Sequence, residues 1–335
     1  MAEKVRANTR VDFIGTSPDF ERMLGASGSL PSISGRCILA LRAGALGDTL
    51  LALPSIEALR RLSGPSGEVD IVGTEPAVQL ALGPRLATRV HSIDRSRFSA
   101  LFQKSVDDAE LLSFLRRFAL VLAWSNLPLL AEKLSKLGIP LLHASPHPPA
   151  DVHASDHLYR SLSPLGVLGP APPPEIDLRE ESRLAALDFL RENGLPPSDF
   201  TALHPSSGSP RKNWPAVRFQ ELALRLRREN RRFVWIEGEA DGKVVASLVR
   251  LVEAPVARDL PLPVLASLLS LSRGFVGNDS GVTHLAAAVK ARTIALFGPT
   301  DPSVWAPRGR SVLVAAHGSN AEAVWEKARS LFYSP

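Results

Sequence analysis

The chain reads as an α/β protein made of two Rossmann-like halves facing each other across a cleft. Apolar strands and amphipathic helices alternate through most of it, a proline-rich stretch interrupts the alternation midway, and the alternation then restarts. Its 335 residues suffice for two units of ordinary size. With 45% hydrophobic and 22% charged residues, the usage is globular, which excludes disordered, collagen-like and coiled-coil chains.

Residues 1–35 form an extension of mixed charge, without the apolar stretch of roughly 7–15 residues that a signal peptide carries. The first half is expected over residues 36–168. A buried strand at Arg36 to Arg42 ends at the loop Ala43-Gly44-Ala45-Leu46-Gly47. A helix follows on the stripe Leu50, Leu53, Ile56, Leu59 and Leu62, with Pro54 in its early turns. Next come a strand at Val69 to Val72, a helix at Pro76 to Leu82, a helix at Asp107 to Phe118 and a strand at Ala119 to Trp124. A helix at Leu129 to Leu137 and a strand at Pro140 to Leu142 complete the run.

Residues 169–178 contain Gly169-Pro170-Ala171-Pro172-Pro173-Pro174, a semi-rigid linker. The second half is expected over residues 179–319, with strands at Thr201 to His204, Arg232 to Ile236, Gly274 to Gly277 and Thr293 to Phe297. Helices are expected at Ala216 to Arg228, Lys243 to Leu251, Leu262 to Leu271 and Val282 to Val289. Residues 320–335 hold a last helix, Asn320 to Phe332, that is free to pack back on the first half.

The apolar windows are all interrupted, as Ile38 to Pro54 is by Arg42 and Asp48, so no segment is expected to cross a bilayer core of roughly 30 Å. The single cysteine, Cys37, excludes a disulfide framework and a cysteine-based zinc site and fits a reducing compartment, the cytosol. A net charge of +5 suits anionic partners without selecting among phosphates, nucleic acid and an acidic membrane surface.

Three Gly-bearing polar segments stand where strands end, the place where ligands bind in open α/β sheets. In Arg42-Ala43-Gly44-Ala45-Leu46-Gly47-Asp48-Thr49, Asp48 is either a helix cap or a carboxylate placed as general base. The segment His204 to Pro215 offers Ser206, Ser207, Gly208, Arg211 and Lys212, the groups needed to hold a phosphate, unless it is merely a solvated loop. In Gly277-Asn278-Asp279-Ser280-Gly281-Val282-Thr283-His284, a helix begins at the sheet mouth and presents unpaired N–H groups. There Asp279 or Ser280 alone could be a cap and His284 a core residue.

In order and spacing, RAGALGDTLLALPSIEAL, HPSSGSPRKNWP and GNDSGVTHLAAA followed by ALFGPTDPSVWAP resemble glycosyltransferase family 9, the ADP-heptose:lipopolysaccharide heptosyltransferases. The resemblance runs from about Arg36 to the C-terminus. It implies a GT-B fold and inversion at the anomeric carbon; a lysine, hydroxyls and helix-terminal N–H groups can take up the leaving group's charge, so no metal or other cofactor beyond the donor substrate is expected. Carried over, Asp48 matches the general base, and Ser206, Ser207 and Lys212 match the loop that holds the donor diphosphate. Asp279 matches a residue that binds sugar hydroxyls, while Ser280, Gly281 and His284 match the phosphate-facing helix start. Where the family often carries a Glu for the nucleotide ribose, this chain has Glu239-Ala240-Asp241-Gly242-Lys243, and Asp241 stands as the substitute.

The implied partners are a nucleotide sugar and a lipid-linked oligosaccharide acceptor, reached as a peripheral protein at the cytoplasmic face of the inner membrane, with no nucleic acid. The alternatives are another nucleotide sugar or a non-lipopolysaccharide acceptor, and a non-catalytic nucleotide-sugar-binding protein. A dinucleotide-binding dehydrogenase and a P-loop NTPase fit poorly, since neither G-x-G-x-x-G nor G-x-x-x-x-G-K-[ST] occurs. His143, His147, His153 and His157, with Asp151 and Asp156, have a spacing that suggests metal ligands, but Pro146, Pro148 and Pro149 break any single helix, so a loop entering a helix at Ser155 is expected. The cluster Arg225, Arg227, Arg228, Arg231 and Arg232 is read as a helix end complementing its dipole, the alternative being attraction to anionic lipid or phosphorylated core sugars, and Trp305 as core in preference to flanking the donor.

Overall fold

The computed structural model describes residues 32–95, 98, 101, 109–125, 128–238 and 242–333. The first half carries β1 (Cys37–Arg42), α1 (Leu46–Ser63), β2 (Glu68–Gly73), β3 (Arg89–Ser92), α2 (Ala109–Leu115), β4 (Leu120–Trp124), α3 (Pro128–Leu137), β5 (Leu141–Ala144) and α4 (Ala154–Arg160). Its strands form a parallel sheet in the order β3-β2-β1-β4-β5. The second half carries α5 (Glu180–Glu192), β6 (Phe200–His204), α6 (Ala216–Arg228), β7 (Arg232–Glu237), α7 (Gly242–Leu251), β8 (Val256–Arg258) and α8 (Leu262–Ser270). It continues with β9 (Gly274–Asn278), α9 (Gly281–Ala288), β10 (Thr293–Phe297), α10 (Pro302–Trp305), β11 (Val312–Ala316) and α11 (Ala321–Tyr333). Its sheet, also parallel, has the order β11-β10-β9-β6-β7-β8.

Strands buried on both faces explain the near-continuous apolar runs. In β1, Ile38 and Ala40 point into one core cluster and Leu39 and Leu41 into another. The same alternation splits β7, whose Val234 and Ile236 join the first of these clusters while Phe233 and Trp235 join a third. The cluster that receives Ile38 and Val234 contains residues of both halves, so one continuous core spans the junction.

The structure corrects several sequence expectations. The helix expected at Pro76 to Leu82 is a 3₁₀ turn, Ala77–Ala81. Of the helix expected from Asp107, the first two residues lie outside the described residues, and Ala109–Leu115 is helical. The terminal helix does not return to the first half. Val324, Trp325, Ala328 and Phe332 of α11 fill a cluster made only of second-half residues, with the Phe332 ring where a Cβ on Gly274 would lie 2.5 Å away. Tyr333 Oη stands 2.8 Å from Thr201 Oγ1 and ties the helix end to β6. Among the described residues no helix is long and apolar enough to cross a membrane.

Candidate active site

In each sheet the strand order reverses beside its first strand, between β1 and β4 and between β6 and β9. All three Gly-bearing segments leave strand ends at these two switch points, where a crevice opens for ligands.

The first follows β1. Asp48 is the third residue of α1, and its Oδ2 accepts the Ala45 N–H at 2.9 Å while its Oδ1 lies 2.7 Å from Arg42 Nη2. Arg42 is 4% exposed and Asp48 31%, so the guanidinium is the buried foundation and the carboxylate the accessible end. Burial pushes the Arg42 guanidinium below its usual range, against the opposing pull of Asp48. Gly44 is required here: its φ is +146°, and a Cβ would sit 2.7 Å from the Asp48 carboxylate. Its N–H donates to Thr74 Oγ1 at 3.1 Å, anchoring the loop to the neighbouring strand.

The second segment follows β6. Ser206 is buried, and its Oγ has no hydrogen-bond partner among the described residues. Ser207 turns inward: its Oγ lies 2.8 Å from Ser209 O and 2.7 Å from Asn213 Oδ1, so this hydroxyl shapes the loop. Lys212, in the 3₁₀ turn Pro210–Lys212, places Nζ 2.8 Å from Asp279 Oδ2.

The third follows β9. Asp279 is 6% exposed and is held by the Lys212 ion pair, while its N–H donates to Leu296 O at 2.9 Å. Ser280 is the N-cap of α9 with its Oγ 3.3 Å from His204 Nδ1 and from Thr283 Oγ1. Gly281 opens the helix where a Cβ would lie 2.6 Å from Leu46 Cβ and 3.1 Å from Gly47 N, so the N-termini of α1 and α9 meet backbone to backbone. His284, one turn in, is 7% exposed, and a Cβ on Gly47 would lie 3.5 Å from its Cδ2. Burial pushes its imidazole down to about 4, against the pull of Asp279 and Asp48, with His153 and Lys212 pushing the same way as burial.

Asp48, Lys212, Asp279 and His284 therefore share one electrostatic neighbourhood, with Ser280 and Gly281 beside it, while the Ser207 hydroxyl is bonded within its own loop. The expectation for Asp241 falls outside the described residues. Glu237, at the end of β7, is 7% exposed, with its Oε1 2.7 Å from Arg258 Nε. The histidine-rich segment is distributed over backbone carbonyls. His143 Nε2 stands 2.6 Å from Ser125 O, His157 Nε2 2.8 Å from Ser145 O, and His153 Nε2 2.9 Å from Ala306 O. His153 also accepts the Ser155 N–H through Nδ1 at 3.2 Å, capping α4. Trp305 is half-buried against the core that spans both halves. In the arginine cluster, Arg225 and Arg231 stack over Trp325 and Tyr333.

Sequence reasoning missed Arg42, Asn278 and a strap between the halves. Arg42 was signalled by a charge ending an otherwise apolar strand, and Asn278 Oδ1 accepts the Trp214 N–H at 2.8 Å, pinning the second segment to the third. In the strap, Arg308 of the second half pairs with Asp156 of α4, and both bond the linker residue Ala171: Asp156 Oδ1 accepts its N–H at 2.8 Å and Arg308 Nη1 donates to its carbonyl at 3.1 Å.

The profile of glycosyltransferase family 9 (heptosyltransferase) matches residues 143–331. Lipopolysaccharide heptosyltransferase 1 of Pseudomonas aeruginosa is 38% identical over 105 residues, which span 30% of this chain and 29% of that protein. Among solved structures, a family 9 glycosyl transferase from Veillonella parvula superposes with a TM-score of 0.78 at 21% identity, covering 90% of this chain and 99% of that one. The E. coli heptosyltransferase WaaC with ADP gives a TM-score of 0.66 at 18% identity, covering 88% and 99%.

Proposed function

The chain belongs to glycosyltransferase family 9, and we propose that it moves a heptose from ADP-heptose to a lipopolysaccharide inner-core acceptor, by inversion and without a metal. The observation that carries this reading is the meeting of two switch points: an accessible carboxylate, Asp48, on one half faces Lys212, Asp279 and the start of α9 on the other.

The acceptor hydroxyl attacks the anomeric carbon from the face opposite the diphosphate, and its proton passes to Asp48 as the new C–O bond forms. The bond from the anomeric carbon to the phosphate oxygen breaks, and the nucleoside diphosphate leaves with the electron pair. Arg42 acts on Asp48 as a positioning residue, since its 2.7 Å ion pair fixes where the carboxylate points. Lys212 offers three N–H donors, of which Asp279 engages one, leaving two for phosphate oxygens. The unpaired N–H groups at the start of α9 add partial positive charge, and Ser206 and Ser280 add hydroxyls. Asp279 and the neutral imidazole of His284 border the sugar and diphosphate positions. Because a lysine and a helix terminus supply the charge that a divalent ion would supply, we read the transfer as metal-independent.

In this reading residues 36–168 bind the acceptor, residues 179–319 the donor, and 169–178 link them, with the work done at the cytoplasmic face of the inner membrane. A second reading, another nucleotide sugar, is favoured by one observation: Glu237 is committed to Arg258, so this acid is not open to a ribose.

Calorimetry with ADP, UDP and GDP, followed by a transfer assay with ADP-heptose and a heptose-deficient lipopolysaccharide core, tests both readings. ADP binding most tightly and product forming in EDTA is the expected outcome. Preference for UDP or GDP moves the donor, activity that dies on chelation and returns with a divalent ion overturns metal independence, and ADP binding without transfer leaves a nucleotide-sugar-binding protein.

A further inference from the structure

We propose that a cavity where the linker meets both halves binds a small phosphorylated or carboxylated metabolite, at a polyanion site separate from the donor cleft. The cavity measures about 740 Å³, within the roughly 300–1,000 Å³ typical of small-molecule sites. It lies at the C-terminal ends of α1 and α9, the ends away from Asp48 and Gly281. At roughly 1.5 Å of rise per residue, it lies about 18 Å from Asp48 along α1 and about 11 Å from Gly281 along α9.

Its chemistry is uneven. Arg60, Arg85, Arg179 and Lys290 line it against two carboxylates, Glu175 and Asp177. Both acids are already matched: Arg85 lies 2.8 Å from Asp177 and 3.2 Å from Glu175, and Lys290 lies 2.9 Å from Glu175. Arg60 and Arg179 make no ion pair among the described residues. Arg60 donates to Gly64 O at 2.7 Å and Ser63 Oγ at 3.3 Å, and Arg179 donates to Gln79 O at 3.4 Å. Glu57, one turn before Arg60, lies 3.7 Å from Arg85, so the four cations face three carboxylates and an excess of one positive charge remains, carried by the unpaired Arg60 and Arg179 beside a lining that includes Ile176 and Val289. Guanidinium forks recognise phosphate and carboxylate oxygens in pairs, and the apolar floor suits the carbon body of a metabolite. A cationic ligand would have to displace Arg85 and Lys290 from acids they already hold. Because Arg60 belongs to the first half, Ile176 to the linker, and Arg179 and Lys290 to the second half, an occupant bridges all three and stabilises their present arrangement.

The test is calorimetry at low ionic strength on the full chain with two probes, a hexose 1,6-bisphosphate and citrate, whose separate isotherms distinguish phosphoryl from carboxyl ligands. At least one should bind saturably at a single site. Arg60→Gln combined with Arg179→Gln should weaken that binding at least tenfold, and so should Val289→Glu, which leaves both arginines in place and decides the matter should the double variant fail to fold. Lys212→Ala, in the donor cleft, should leave it unchanged. Absence of saturable binding for both probes at millimolar concentration, undiminished affinity in Val289→Glu, or loss of binding in Lys212→Ala would each overturn the proposal.

Discussion

Asp48 serves two bonds at once, since one oxygen caps the turn that begins α1 and the other holds Arg42. Reading it as a helix cap or as a base was therefore never a choice, because a carboxylate has lone pairs for both and remains 31% exposed to an incoming hydroxyl. Asp48→Asn should keep the fold and ADP affinity while lowering the transfer rate by roughly 10²–10⁴, measured in steady state; a rate near wild type would remove it from the mechanism. Arg42→Met should cost about 1–2 kcal/mol in denaturant unfolding, a discounted figure because the partner it abandons can reach water. It should also slow transfer with little change in donor KM. His284 takes up its proton at lower pH than a surface histidine, because burial disfavours the charged ring. Its pKa falls from 6.5 unfolded to about 4 folded, so between those values the unfolded chain binds the proton and the folded chain does not. Its contribution to stability is whole above pH 6.5 and is lost as pH falls toward 4. His284→Gln should flatten that part of a melting-temperature profile, and an unchanged acid slope would contradict the assignment.

At the scale of elements, the contact between the starts of α1 and α9 is the most exacting in the cleft. Gly281→Ala would press a methyl group into Leu46 and the Gly47 amide, and should cost about 1–3 kcal/mol and slow transfer together. A variant with normal melting temperature and normal turnover would show that the helices part easily. The elements legible in the sequence are those with a strong period: β1, α6, β9 and β10 stand where their apolar runs predict. Three missed elements carry weak signals for identifiable reasons, whereas β11 was missed although Val-Leu-Val-Ala-Ala is an apolar run. β3 is an edge strand, Arg-Val-His-Ser, without a fully buried residue, and β8 has only three residues. Helix α5 buries Ser182, Ala186 and Leu190, a stripe with one large apolar side chain among Glu and Arg. In the site, strand-end position and glycine spacing marked Asp48, Lys212 and Asp279. The inward turn of Ser207 and the Lys212–Asp279 pair are tertiary facts that no local pattern encodes.

For the whole molecule, the shared core, the strap through Asp156, Ala171 and Arg308, and the ion pairs of Glu175 with Arg85 and Lys290 bind two Rossmann-like units into one thermodynamic body. Heating should therefore give a single calorimetric transition with matching calorimetric and van't Hoff enthalpies, whereas two resolved peaks would show that the halves melt independently. The terminal helix belongs to the second half, so truncation before Ala321 should leave Gly274 and the third core cluster open to water and lower stability more than a surface helix would. The touching glycines have an implication for engineering. The floor of the cleft is set where Gly47 and Gly281 approach backbone to backbone and where Gly44 lies against the Asp48 side chain, which leaves little room to compensate an error there. A library intended to change the donor should hold those three positions, and Ser206, Ser207 and Lys212 with them, constant and diversify Gly208, Pro210 and Arg211, which are exposed, while the registration of the two halves is inherited intact.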